Sequence, residues 1–417
     1  MVETLTPARF GREFRLLLPA SWTSQLGDGI SLAAGPLLVA SMTQDAVLVA
    51  LAATLQWLPP LLFAPLAGAL TDRLDRRRIV IVTGFIRIAV LAVLVTSVLT
   101  GIASIALVLI TLFVLASTEV FADTAQQTFL PMLVGKQDLA LANSRLQTGF
   151  VTINQLAGPP IGAALFAVGS AWPFGTQACV VALATVLIAR IKLPPHGRAP
   201  EHRGRLHHDI AEGFRWVRHH PAVRTLVLTI FIFNITFGAA WSVLVLYATE
   251  RLGLGEVGFG LITTVSAVGG LLATLAYGWI TRRISLGGLM RIGLIIETLT
   301  HLALALTTSP WLAMIIFFVF GAHAFIWGTT SVTVRQRVVP TELQGRVGSV
   351  NMVGVFGGLV AGSGIGGVLA QHYGVVAPFW FAFAGSAVFV VLIWHSLRHI
   401  AHDDDPPEQA GAGNAAG

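Results

Sequence analysis

The chain has 417 residues, 55% hydrophobic and 11% charged, with 26 Lys and Arg against 20 Asp and Glu. A mean hydropathy of +0.77 is too apolar for a chain whose surface faces water, so its solvent is lipid. The single cysteine, Cys179, excludes an intramolecular disulfide, a cysteine metal cluster and a CxxC redox pair.

The first apolar stretch begins after Arg15 and runs past Ser31. It is too long for a signal-peptide core and contains Asp28, so it reads as a retained span. A bilayer core about 30 Å thick needs about 20 apolar residues as helix. Twelve such stretches follow in order, at 16–40, 47–70, 79–99, 102–122, 146–168, 171–190, 224–247, 257–280, 287–307, 311–333, 347–370 and 375–396. Lipid offers no partner to backbone N–H and C=O groups, and barrel strands would alternate over about ten residues, so these runs are helices. The expected fold class is an all-α membrane protein of twelve transmembrane helices, spans 1 to 12.

Arg9, Arg12 and Arg15 precede span 1; Arg73, Arg76, Arg77 and Arg78 follow span 2; Lys136 and Arg145 follow span 4. The same side receives Arg190 through Arg224, Arg282, Arg283 and Arg291, Arg335, Arg337 and Arg346, and Arg398. With Arg87 counted there, only Arg251 lies opposite. The positive-inside rule then puts both termini and every even-to-odd loop in the cytoplasm, as expected for a multi-pass protein of the cell inner membrane.

The longest polar segment divides the chain into a six-helix bundle at 1–190, a cytoplasmic linker at 191–223, a second bundle at 224–398 and a disordered tail at 399–417. Within the linker Asp209 is placed to cap a short helix, with Glu212 three residues on and Ile210, Phe214 and Val217 on one face, suiting a membrane surface. Its histidines (His196, His202, His207, His208, His219, His220) read as a solvated loop near anionic lipid, with no metal expected. The halves repeat at an offset of about 205 to 210 residues. Gly68, Thr71 and Arg73 recur as Gly278, Thr281 and Arg283, and the run Ala157 to Gly162 recurs as Ala361 to Gly366. Two such repeats around a central cavity suit alternating access.

Together these residues resemble the major facilitator superfamily over the whole chain. The segment from Gly68 to Arg78 is similar to that family's G-x-x-x-D-R-x-G-R-R signature between spans 2 and 3, with Asp75 in place of its second glycine. An acidic residue there, the run Glu212 to Val217 and the triplet Gly345-Arg346-Val347 resemble the exporter group of macrolide-efflux, enterobactin-export and multidrug proteins. The run Gly158 to Ala163 is similar to the antiporter signature G-P-x-x-G-G, with Ala163 for its last glycine and Asn154 for an earlier one. Span 4 lacks the buried arginine of many drug:proton antiporters, so their proton relay does not carry over.

Charges deep in lipid cost roughly 2.5 to 3.5 kcal/mol on insertion scales, so each needs a partner, a wet cavity or a proton. Asp28, midway along span 1 between two glycines, is read as a carboxyl that exchanges a proton or meets a cationic substrate, or else as a hydrogen-bonded link between helices. Glu119 in span 4 and Arg87 in span 3 are expected to pair. Glu297 and His301, at i and i+4 on span 9, can titrate as a couple. His323 and Trp327 on span 10, with Asn234 and Trp241 on span 7, are candidate cavity residues. Asp72 is expected to face the N-terminal end of span 11 and Asp123 to pair with Arg73 or Arg76, latching the halves together beside Arg77. Gly158, Pro159, Pro160 and Gly162 are expected to shape a kinked, closely packed gating helix.

No GxxxxGK[ST] occurs and no segment can house a nucleotide-binding domain. The resemblance therefore implies a monomeric exporter of small amphiphilic or cationic compounds, drugs or siderophores, driven by protons, with no enzyme activity, cofactor or nucleic-acid partner and with lipid as its surroundings. An importer of a small metabolite is the alternative, and a membrane assembly or receptor protein without transport a third.

Overall fold

The computed structural model describes residues 10–193 and 206–394, and each of the twelve predicted stretches has a helix at its centre. Spans 1 to 4 are Gly11–Met42, Ala46–Arg73, Arg76–Leu99 and Ile105–Gln127, and span 6 is Trp172–Ala189. Span 5 is continuous through Leu139–Gly149, a π-helical stretch Phe150–Ala157 and Gly158–Val168. Spans 7 to 12 are Pro221–Trp241, Glu256–Thr281, Leu286–Leu306, Pro310–Val338, Gln344–Tyr373 and Ala377–Ile393. Among the described residues ten helices are long and apolar enough to cross a membrane, and Ala377–Ile393 is a shorter apolar one. Gly11–Met42, diluted by polar residues around Asp28, packs among them. Among the described residues there is no strand. Outward-facing side chains such as Phe85, Val93, Leu275 and Val391 are more than half exposed, the surface a helix bundle presents to lipid.

Span starts are capped where the sequence supplies short polar side chains. Asp45, Asp75, Ser104, Ser285 and Ser309 accept backbone N–H groups of the first turns of spans 2, 3, 4, 9 and 10. Asp75, the departure from the loop signature, is thus the cap of span 3. Several boundaries differ from expectation, and two of the differences have a visible cause. Span 4 continues past 122 through the polar run to Gln127, because that run faces a cavity instead of ending the helix. Span 7 breaks after Trp241, with only the short turns Leu244–Leu246 and Tyr247–Arg251 beyond. There the Ser242 hydroxyl donates to the Ala239 carbonyl at 3.1 Å.

The internal repeat is a packing repeat. Span 5 lies on span 1 where Gly158 meets Gly29 and Gly162 meets the backbone of Ile30; span 11 lies on span 7 where Gly362 meets Ile235 and Gly366 meets Ala239. At all four positions a Cβ would run into partner backbone, so only glycine allows the close approach. Pro160 removes the N–H that would bond the carbonyl of Leu156, four residues back, and that carbonyl accepts the Thr264 hydroxyl of span 8 at 3.1 Å.

Three side-chain hydrogen bonds join the halves among the described residues. Besides Thr264 to Leu156, the Ala46 N–H donates to Gln371 Oε1 at 2.8 Å, and the Thr54 and Ser363 hydroxyls lie 2.6 Å apart. All three fall on the side away from the arginine-rich loops.

The linker helix Leu206–His219 begins before Asp209, which therefore lies inside it and not at its cap. Its seat is the start of span 11: Arg346 donates to Glu212 at 2.7 Å, Gly213 lies against the Arg346 backbone, and Val217 is buried in a cluster with Val347 and Val350. The expected apolar face is split, since Phe214 is 61% exposed. His219 and His220 bond carbonyls of the same helix, and His220 stacks on Trp216. The linker residues 194–205, the N-terminal Arg9 and the tail from 399 lie outside the described residues.

Candidate transport site

Three connected chambers run through the molecule. A polar vestibule of about 560 Å³ reaches the loop between spans 4 and 5 and is lined by residues including Ser21, Gln25, Gln126 and Asn143. Through Glu119, Asp123 and Phe150 it meets an acidic chamber of about 260 Å³ holding Asp28, Arg87, Asn154 and Gln177. Through Leu32, Gln56, Trp57 and Gln155 that chamber meets a third, of about 330 Å³, walled by Phe237, Trp241, Phe259, Phe320 and Phe325.

In the acidic chamber the Arg87 guanidinium donates to Asp28 Oδ1, both groups being buried. Ser24 donates to the other carboxylate oxygen at 3.4 Å. Arg87 thus pairs with Asp28 and not, as the sequence suggested, with Glu119. Glu119 and Asp123, one turn apart on span 4, are half-buried and have no hydrogen-bond or ion-pair partner among the described residues. Asp123 bonds neither Arg73 nor Arg76: the longer span 4 turns it toward the chamber. Gln177, buried from span 6, holds a carbonyl oxygen without a partner among the described residues. Asn154 donates to the Gln25 carbonyl at 3.3 Å and accepts from Gln155 at 2.6 Å, tying span 5 to span 1.

The other expected positions sort differently. Trp241 lines the aromatic chamber, but Asn234, His323 and Trp327 line none of the three. Asn234 donates to the Ile230 carbonyl at 2.6 Å. His323 meets Glu297 at 3.3 Å, in space left by Gly293, with Trp327 beside it. Glu297 is therefore partnered by the neighbouring span and not by His301. His301 is fully buried behind Trp241, and neither ring nitrogen has a hydrogen-bond partner among the described residues. Of the loop cluster, Arg77 donates to the Ala189 carbonyl at the end of span 6, and Arg76 to the Thr71 carbonyl and the Met132 sulfur. Asp72 and Arg73 are exposed. Gln56, Gln155 and Gln177 carry only the signal of a polar residue inside an apolar run, and Trp57 carries none.

A helix bundle of two repeats around a central polar cavity defines a membrane carrier of the major facilitator type, a transporter and not an enzyme. Residues 3–410 match the family described as transmembrane secretion effector, and the chain belongs to that family. It is 32% identical over 398 residues to the multidrug efflux pump Tap of Mycolicibacterium fortuitum, covering 87% of this chain and 90% of that one. It is 23% identical over 376 residues to the macrolide efflux protein A of Streptococcus pyogenes, covering 84% and 87%. The crystal structure of the nucleoside transporter NupG shares the fold, with a TM-score of 0.75 at 11% identity, covering 92% of this chain and all of that one.

Removing one partner of a buried ion pair leaves an uncompensated charge and costs about 3 to 5 kcal/mol. Arg87→Leu is expected to lower the melting temperature of the purified protein sharply, and adding Asp28→Asn to recover most of the loss. Thermal unfolding in one detergent tests this, and an unchanged Arg87→Leu transition would show that the pair does not hold spans 1 and 3.

Proposed function

We propose that the protein exports small amphiphilic or cationic compounds across the cell inner membrane in exchange for protons, by alternating access. The observation that carries this reading is the acidic chamber. One guanidinium neutralises Asp28, which leaves Glu119 and Asp123 without a counter-charge in a cavity within the membrane, open to the vestibule. A carboxylate so placed is stabilised by a proton or by a cation. The efflux functions named for the two relatives favour a drug as that cation. On this reading the halves are closed toward the outside and the vestibule opens to the cytoplasm. After the switch, protons entering from the acidic side would displace the substrate at Glu119 and Asp123.

The orientation follows from charge: the arginine-rich loops belong in the cytoplasm, with both termini. Phosphatase and fluorescent-protein fusions after Arg78 and Glu256 are expected to report cytoplasm and exterior respectively, and the reverse pattern would invert the assignment.

Asp72, exposed at the end of span 2, is read as the latch released in this state; opening outward would bring it to the positive end of span 11, an attraction of about 0.3 to 1 kcal/mol. Asp72→Asn is expected to slow export with the protein still present in the membrane at its normal level. Full transport activity in that variant would leave the loop arginines as topology signals alone.

Coupling is tested in proteoliposomes under an imposed pH gradient. Glu119→Gln, Asp123→Asn and Asp28→Asn are each expected to abolish uphill flux, while the two span 4 variants keep downhill exchange. Uphill pumping at the wild-type rate in both span 4 variants would place the proton carrier elsewhere, with His323 and Glu297 next in line.

A further inference from the structure

We propose that the outer rim of the C-terminal half, at the arginine-rich ends of spans 8, 9 and 12, is a binding surface for the headgroups of anionic phospholipids. Its cations are Arg282, Arg283 and Arg291, and Trp279 and Trp394 are the aromatic faces beside them.

The internal repeat shows where the two halves part company. In the register that relates Thr71 and Arg73 to Thr281 and Arg283, Arg282 replaces Asp72 and Ser285 replaces Asp75. Asp75 and Ser285 both cap the helix that follows, so the cap is kept and the negative charge is lost. No Asp or Glu occurs between Glu256 and Glu297. In the loop between spans 2 and 3 the arginines are largely used within the protein: Arg76 and Arg77 donate to protein groups, and Arg78 lies 3.9 Å from Asp75. Among the described residues the side chains of Arg282, Arg283 and Arg291 have neither an ion pair nor a hydrogen bond. Arg282 and Arg283 are exposed, and Arg291, half-buried, keeps its Nε buried without a partner among the described residues. Cations so placed in lipid call for an anion from outside the described protein.

Two of these cations are set against indoles. The guanidinium carbon of Arg283 lies 3.9 Å from the centre of the Trp279 ring, and that of Arg291 lies 5.8 Å from the centre of Trp394. A ring face orients a guanidinium and leaves the N–H groups at its edge free to bond phosphate oxygens in pairs. Trp279 is 54% exposed and Trp394 38%, and a tryptophan at the end of a span belongs at headgroup depth. Leu275 and Leu272 are exposed one and two turns deeper on the same face of span 8, and Ile292 and Ile295 are exposed on span 9. A cationic rim above apolar steps matches a phosphate above acyl chains. A soluble anion or an acidic peptide would meet the arginines and have no use for the steps, which is why a lipid fits the whole surface.

The test is native mass spectrometry of the delipidated full chain, titrated with dioleoylphosphatidylglycerol or, as the probe without net charge, dioleoylphosphatidylcholine. The first phosphatidylglycerol is expected to bind at least about tenfold more tightly than the first phosphatidylcholine, since each basic residue near an anionic headgroup contributes about fivefold. Arg282→Gln, Arg283→Gln and Arg291→Gln together are expected to cut that preference below about threefold. Arg12→Gln, Arg15→Gln and Arg78→Gln together remove as much charge from the same side of the molecule and are expected to leave the preference intact. Trp279→Ala is expected to weaken phosphatidylglycerol and Trp279→Phe to restore part of the loss, with thermal unfolding in the same detergent confirming folded variants. The site is overturned if the first triple variant keeps the preference, or if the second loses as much, which would make the attraction a diffuse property of the basic side. Displacement of the lipid by millimolar inorganic phosphate would make the rim a site for a soluble anion. Binding at least about tenfold tighter after deletion of residues 399–417 would show that the carboxylates of the tail fill the rim in the intact chain. Either result also refutes the lipid assignment.

Discussion

The pairing of Asp28 with Arg87 is the constraint around which the N-terminal bundle is organised. A carboxylate halfway along a membrane helix is tolerated only with a counter-charge or water beside it, and here spans 1 and 3 supply the two halves of that pair. Because the chamber's single guanidinium is spent there, the carboxyls of span 4 remain unmatched. A buried link in one helix pair thereby leaves two carboxyls without a partner among the described residues on the next.

Closure on the far side of the molecule is made by a buried apolar cluster shared by the two halves and by hydrogen bonds across it. Three hydrogen bonds cross between the halves, each worth roughly 0.5 to 1.5 kcal/mol net, around contacts made by glycines and small side chains. Glycines bring backbones together both within and between the halves: Gly158 and Gly162 lay span 5 on span 1 and Gly362 and Gly366 lay span 11 on span 7, while Gly367 meets the backbone of span 2 at Ala46 and Val47 and Gly260 meets the Pro159 carbonyl of span 5. In a two-state carrier these contacts between the halves have to separate, and a ligand shifts that equilibrium only by its differential affinity for the two states. Pro160 of span 5 adds to the contact between the halves by freeing the Leu156 carbonyl for Thr264 of the partner half.

The linker shows how separated motifs become one contact. The run Glu212 to Val217 and the triplet Gly345-Arg346-Val347 lie more than a hundred residues apart in sequence, yet the carboxylate, the glycine and the valine of the first meet the arginine and valine of the second. The residues that mark the family resemblance are thus those that seat the linker helix on span 11. The helix binds protein through Gly213 and Val217, although its composition suggests a membrane-surface element, because a glycine and a valine one turn apart fit a neighbouring helix more closely than they anchor in lipid.

The sequence by itself determined the twelve helices and their order, the side of the bundle on which positive charge collects, and the repeat that relates the halves. These are properties of the chain read locally: apolar length, loop charge, and glycine spacing each carry their meaning within a few turns. What only the tertiary structure decided was which groups meet. Arg87 chose Asp28 over Glu119, Glu297 chose His323 over His301, and Asp123 turned from the loop arginines into the chamber. Gln56, Trp57 and Gln177 became lining residues with no motif to announce them. The physical reason is that such pairings depend on the rotation of each helix about its own axis and on which helix stands beside it. Spans with apolar residues on every side leave that rotation unmarked in the sequence, and packing between helices sets it.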